Sequence, residues 1–221
     1  MAMALVNSTV KSTVGSTLID LFPPRAAVSG PGIVLRTERA GDLPAREALL
    51  DEAFGDVRFA KASERLREGR LAAAGLSFVA TRHGRLVGTV RLWNVTAGQA
   101  RSALLLGPLA VSADMRCCGL GGRLMRHALA TAAVRGHDAV LLVGDADYYS
   151  RFGFGADKTG ALAMPGPFEA HRLLGRELRP GALDDARGLI VAAGRPAHRV
   201  VARPSQAVAR LSRADAMPRA A

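Results

Sequence analysis

A proline stands in the middle of a strand that otherwise has the composition of a sheet interior. SALLLGPLAV, residues 102–111, is apolar nearly throughout, yet Pro108 has no N–H to give to a neighbouring strand. The ladder must therefore break at Gly107-Pro108. A bulge there splays the strand away from its next neighbour and leaves unpaired backbone groups along a cleft.

The chain then runs into Arg116, Cys117, Cys118, Gly119, Leu120, Gly121 and Gly122. Leu120, Leu124, Met125, Ala128, Leu129 and Ala132 recur at spacings of three and four, which predicts a helix near 120–135 with one apolar face. Arg123 and Arg126 lie off that stripe. With AVLLVG as the next strand, the unit reads strand, loop, helix, parallel strand, and the loop sits at the positively polarised helix N-terminus. Phosphate suits that place. The glycines let main-chain N–H groups approach an oxyanion, and Arg116 adds positive charge. An isolated Gly-x-Gly also makes a plain tight turn. Two other phosphate loops are excluded: Leu124 occupies the third glycine position of the dinucleotide fingerprint, and no Gly-Lys-Ser/Thr follows. A ligand with peptide-like amides at one end and a pyrophosphate at the other would use both the broken strand and the loop. Coenzyme A has that shape.

The 221 residues suffice for one domain with tails. Its expected bounds are 32–194, with an N-terminal extension at 1–31 and an Arg/Ala/Pro-rich tail at 195–221, both expected to be flexible or disordered. No apolar run reaches a membrane-spanning length and no secretory leader opens the chain, so it reads as cytoplasmic. The net charge of +11 is spread unevenly: after Gly194 six arginines face only Asp215. A nucleic-acid binder using that tail is one reading, but aromatic residues make up only 5% of the chain, too few for base-stacking platforms. Adjacent Cys117 and Cys118 supply neither a disulfide framework nor a zinc ligand set, and no metal is expected.

Within the domain, IVLRTE reads as a strand, DLPAREALLDEAFG as a helix opened by Asp42, and RFAKASERLREG as a second helix stopped by Gly69. LSFVATR and RLVGTVRLWNV form a hairpin through His83-Gly84. Later come a short helix holding Tyr148 and Tyr149 and strand-like segments near Gly155 and at 171–178. The expected class is α/β in the α+β sense: a mixed sheet with helices on both faces.

At this point the residues resemble a known family. Arg116-x-x-Gly119-x-Gly121, after LGPLAV and before an amphipathic helix, is similar to the acyl-CoA-binding motif of the GNAT superfamily of N-acyltransferases. YYSRFGF, residues 148–154, resembles that family's Tyr-x-(Lys/Arg)-x-Gly-Phe signature. With LLVGDADYY, the wording is similar to the bacterial YhbS-type subgroup. The resemblance covers roughly 33–190 and implies the GNAT fold, a sheet split by the bulge, and acetyl-CoA as donor. It implies that Leu109, Ala110 and Val111 hold the pantetheine and the thioester carbonyl, that Arg116, Cys117, Cys118, Gly119, Leu120, Gly121 and Gly122 hold the pyrophosphate, and that Tyr149 protonates the departing sulfur. Tyr148 is expected to pack on the sheet. Cys117-Cys118 stands where the family often has Gly and a basic residue, so one cationic contact is lost; the cysteines themselves read as inert filler.

No base is evident. His83, His127 and His137 fall in a turn, on a helix surface and in a loop, Asp145 reads as an N-cap, and Asp51 and Glu52 as a solvated helix face. Arg91 and Trp93 either line the acceptor site or pack. The resulting expectation is an acetyl-CoA-dependent N-acetyltransferase acting by direct attack on a small-molecule or peptide amine, without membrane or nucleic-acid partners and with a homodimer as one option. The alternative is a catalytically weak CoA- or acyl-carrier-sensing module of the same fold.

Overall fold

The computed structural model describes residues 32–99 and 101–197. The N-terminal extension and residues 198–221 of the tail lie outside them. Eight strands form one mixed sheet: β1 (Ile33–Thr37), β2 (Ser77–Arg82), β3 (Arg85–Ala97), β4 (Arg101–Val111), β5 (Ala139–Val143), β6 (Leu162–Ala163), β7 (Leu173–Glu177) and β8 (Gly188–Ala192). The order is β1-β2-β3-β4-β5-β7, antiparallel except for β4 with β5. Strand β8 pairs with Val95 to Ala97 of β3, the stretch that β2 leaves open, and β6 joins β8. The sequence pattern did not reveal β6 or β8.

The hairpin turns through His83 and Gly84 at φ +48° and +80°, as the two-residue turn requires. The helix α4 (Leu120–Val134) buries the six residues of its apolar stripe against β2, β3 and β4. The helix α1 (Leu43–Phe54) covers the opposite face, burying Leu49 and Leu50 against Ala110. Two expectations change here. Asp42 does not cap α1 through its side chain; its carboxylate instead accepts from the Arg39 N–H at 2.7 Å and from the Arg36 guanidinium at 2.6 and 2.7 Å. These contacts hold its pKa at about 2. The second helix is two single turns, α2 (Val57–Ala60) and α3 (Ala62–Arg65), parted by Lys61 in extended backbone, which lets Ala62 and Leu66 enter the core.

The tail's first residues are held in place. Leu71 N–H donates to the Arg195 carbonyl at 2.8 Å, and Ala197 N–H to the Gly69 carbonyl at 2.8 Å. Residues 195–197, assigned above to the tail, thus pair with the segment at Gly69 to Leu71. Among the described residues no helix is long and apolar enough to cross a membrane.

Glu38, at the end of β1, fixes α1 to the sheet. Its carboxylate is 8% exposed and takes charge-assisted hydrogen bonds from Arg46 of α1 and from Arg91 of β3, the latter at 2.9 and 3.1 Å. Arg91, considered above for the acceptor site, is engaged here instead. Glu38→Gln is expected to cost about 3 kcal/mol, because it leaves the Arg91 guanidinium without its counter-charge and Arg46 with Glu47 alone. Urea unfolding measures this, and a loss under about 1 kcal/mol would show the pair to be solvent-screened.

Candidate active site

The bulge is where the sequence places it. Val90 pairs with Leu109 and Leu92 with Leu106, so Arg91 stands opposite two residues, Gly107 and Pro108. Trp93, buried on the next position of β3, donates its indole N–H to the Gly107 carbonyl at 2.6 Å and pins the bulge. The extra residue reverses side-chain direction: Leu104 and Leu106 face α4 before it, Leu109 and Val111 after it. Strand β5 pairs with β4 only at Leu104 and Leu105, then follows β7 away. The β5-facing edge of β4 is therefore free of strand partners from Leu106 onward, and a cleft opens toward the loop.

At the loop, Cys117 and Gly119 both take left-handed backbone, φ +65° and +70°, and Gly119 precedes the first turn of α4 without a side-chain cap. Arg123 N–H makes the first helical bond, to the Gly119 carbonyl at 3.1 Å. Among the described residues nothing accepts from the N–H groups of Leu120, Gly121 or Gly122. These donors, the helix dipole and the arginines converge on one space.

That space is a cavity of about 580 Å³. Of the residues expected to hold the cofactor, all line it except Cys118, which is exposed outside. Arg126 and Arg151 join Arg116 there, and no Asp or Glu lines it. Arg126 was visible in sequence only as a residue off the apolar stripe, and Arg151 as the basic position of the Tyr-x-(Lys/Arg) signature. A Cβ at Gly121 would project among Leu109 Cδ2, Val111 Cγ2 and the Tyr148 hydroxyl at 3.6–3.7 Å. The glycine keeps this floor low.

Tyr148 departs from the expectation that it packs on the sheet, and both tyrosines meet the clefts. Tyr149 is the packed one: its ring lies against the main core cluster, a Cβ on Gly144 would overlap it, and burial pushes the phenol pKa up. Tyr148 is 37% exposed and puts its hydroxyl beside Gly121. Both line a second cavity, which begins at the bulge. Asp145 caps the short helix α5 (Ala146–Tyr149) by accepting from the Asp147 N–H at 3.1 Å. His127 packs edge-on to Phe78 with centroids 4.6 Å apart, and His83 stays in its turn. Asp51 pairs with Arg58 at 2.8 Å.

Comparison with known proteins agrees with this geometry. A family model described as an acetyltransferase (GNAT) domain matches residues 73–155, the segment carrying β2 to α5 and the glycine loop. YjhQ of Escherichia coli K12, an uncharacterized N-acetyltransferase, is 34% identical over 119 residues, covering 52% of this chain and 65% of YjhQ, just under two thirds of that protein. YhbS of the same organism, also an uncharacterized N-acetyltransferase, is 33% identical over 165 residues, covering 72% of this chain and 95% of YhbS. The crystal structure of E. coli YhbS in complex with CoA superposes with a TM-score of 0.63 at 30% identity, over 75% of this chain and 93% of that one. Being 33% identical to YhbS over 95% of that protein, and superposing on its crystal structure, the chain belongs to the GNAT family of acetyltransferases.

Proposed function

We propose that the protein is an acetyl-CoA-dependent N-acetyltransferase acting on an amine by direct attack. The observation that carries this is the cavity at the glycine loop, where three arginines and unengaged helix N–H groups meet the open edge of β4 with no carboxylate in the lining. That combination fits a pyrophosphate followed by a chain of amides. Arg116, Arg126, Arg151 and the N–H groups of Leu120 to Gly122 hold the phosphates, and the backbone of Leu109, Ala110 and Val111 aligns the pantetheine. The cofactor supplies an activated acetyl thioester.

The chain's remaining tasks are to place an uncharged amine, steady the charge that develops on the carbonyl oxygen, and return a proton to sulfur. The amine nitrogen bonds to the acetyl carbon, the carbon–sulfur bond breaks, and the nitrogen's proton leaves to solvent. Tyr149 suits the third task. Its raised pKa keeps the phenol neutral and able to donate throughout the ordinary pH range.

Acetyl-CoA is expected to raise the thermal midpoint. A ligand that binds only the folded protein stabilises it by about 2.7 kcal/mol at a hundredfold excess over its Kd, which for a domain of this size is roughly 5–10 °C. Absence of a shift at millimolar acetyl-CoA, with the protein folded, would remove the central claim. Thiol release with a panel of amines then separates turnover from mere binding.

A further inference from the structure

Beyond a wall shared through Phe54, Leu109 and Tyr148 lies the second cavity, about 440 Å³, within the usual range for small-ligand pockets. The α2–α3 segment, the Gly107-Pro108 bulge and the end of β5 enclose it. Four cationic side chains line it, Arg58, Lys61, Arg67 and Arg172, against one carboxylate, Asp145, which is occupied in capping α5. Two of the four are already paired with carboxylates: Arg58 lies 2.8 Å from both Glu47 and Asp51, with its own buried Nε unpartnered, and Arg172 is 3.6 Å from Glu169.

Lys61 is not, and Arg67 is matched on one side only. Lys61 forms no ion pair among the described residues, and its ammonium stands 4.7 Å over the Phe54 ring at the exposed rim. Arg67 has only 7% of its side chain exposed; Nη2 is taken by Glu64 at 2.9 Å and Ser63 at 3.2 Å, while the buried Nε has no partner. Its Nη1, which has no hydrogen-bond partner among the described residues, would meet a Cβ on Gly107 at 3.7 Å and so stands beside the bulge. Buried charged donors are normally satisfied, so the acceptor missing here points to a ligand. Burial and the nearby charges of Arg67 and Arg172 also lower the proton affinity of Lys61, which marks a place short of negative charge.

We propose that the acceptor amine carries a carboxylate, held by Lys61 and Nη1 of Arg67, so that the substrate is an amino acid or a small relative of one. The unmatched charge is one ammonium and a guanidinium half-neutralised by Glu64, which suits a monoanion better than the dianion of a phosphate ester. Tyr149 and Asp145 line the same cavity and are available to the amine. This inference rests on the reading of the first cavity as the acetyl-CoA site.

The test is thiol release from acetyl-CoA with three sets of acceptors: free L-amino acids; their decarboxylated counterparts tyramine, histamine and phenethylamine, with spermidine; and O-phosphoethanolamine. At least one amino acid is expected to exceed its decarboxylated counterpart in kcat/KM by about tenfold or more, the worth of one charge-assisted hydrogen bond. Lys61→Gln, at the exposed rim, should remove most of that preference by raising the acceptor KM, while the acetyl-CoA thermal shift stays intact. Arg67→Lys should do the same even if Arg67→Gln fails to fold. Equal or better use of the decarboxylated amines or spermidine, preference for O-phosphoethanolamine, or an unchanged acceptor KM in Lys61→Gln would each overturn the proposal. So would failure of all three sets while acetyl-CoA still shifts the midpoint; loss of that shift instead refutes the cofactor reading, and this one with it.

Discussion

Gly121→Asp is expected to abolish the thermal shift given by acetyl-CoA in a protein that remains folded. The position is the second of α4, where a new Cβ meets only ordinary van der Waals neighbours at 3.6–3.7 Å. A carboxylate in the first turn of a helix is favourable by about 0.3–1 kcal/mol, and replacing glycine in a helix adds propensity. The midpoint without ligand should therefore hold or rise. The cofactor, by contrast, meets a like charge where its pyrophosphate belongs, in a lining that now has an anion among Arg116, Arg126 and Arg151. Such a juxtaposition costs several kcal/mol, so affinity should fall by about a hundredfold or more. Calorimetric titration with CoA, beside melting curves of both proteins, checks each half. An undiminished shift in the variant would move the binding site elsewhere.

Tyr149→Phe is expected to lower kcat by roughly a hundredfold or more, the usual contribution of a positioned general acid, while the KM for acetyl-CoA changes little. Desolvation is the chief cause that raises the phenol pKa, and the neighbouring Tyr148 raises it further. The sign follows directly. The proton-bearing form is favoured in the folded protein, so activity that depends on it persists below the ordinary tyrosine value of about 10 and falls only above it. The alkaline limb of the wild-type profile should be missing from the variant. Tyr148→Phe acts on a different parameter, because its hydroxyl lies beside Gly121 at the cofactor cavity; it should raise the KM for acetyl-CoA and spare kcat. Small and equal effects from the two substitutions would return Tyr149 to a packing role.

What could be read from the sequence was local and chemically compelled. Proline at 108 forbids a continuous ladder, the stripe from Leu120 to Ala132 has only one way to face a core, and His83-Gly84 suits a single turn type. The rest depends on tertiary closure. Strand β8 is five residues of mixed exposure after a turn-rich stretch, and it exists because β3 outruns β2 and leaves an edge to be covered. Whether RFAKASERLREG is one helix or two turns is decided by where Ala62 and Leu66 find burial, not by propensity. Arg126 and Arg151 reach the loop cavity, and Arg91 turns to Glu38, through side-chain paths that spacing along the chain does not encode.

The bulge in β4 acts on side-chain direction as a frameshift acts on a reading frame. Upstream of it, even-numbered residues belong to the α4 layer; downstream, odd-numbered ones do. The cofactor edge and the core are thus written in opposite phases on one strand. Losing Pro108 would restore the ladder and, by the same stroke, turn Leu109 and Val111 toward α1 and Ala110 toward α4. Only changes of two residues at a time would leave the layers correctly addressed, so the length of this strand is constrained in steps of two.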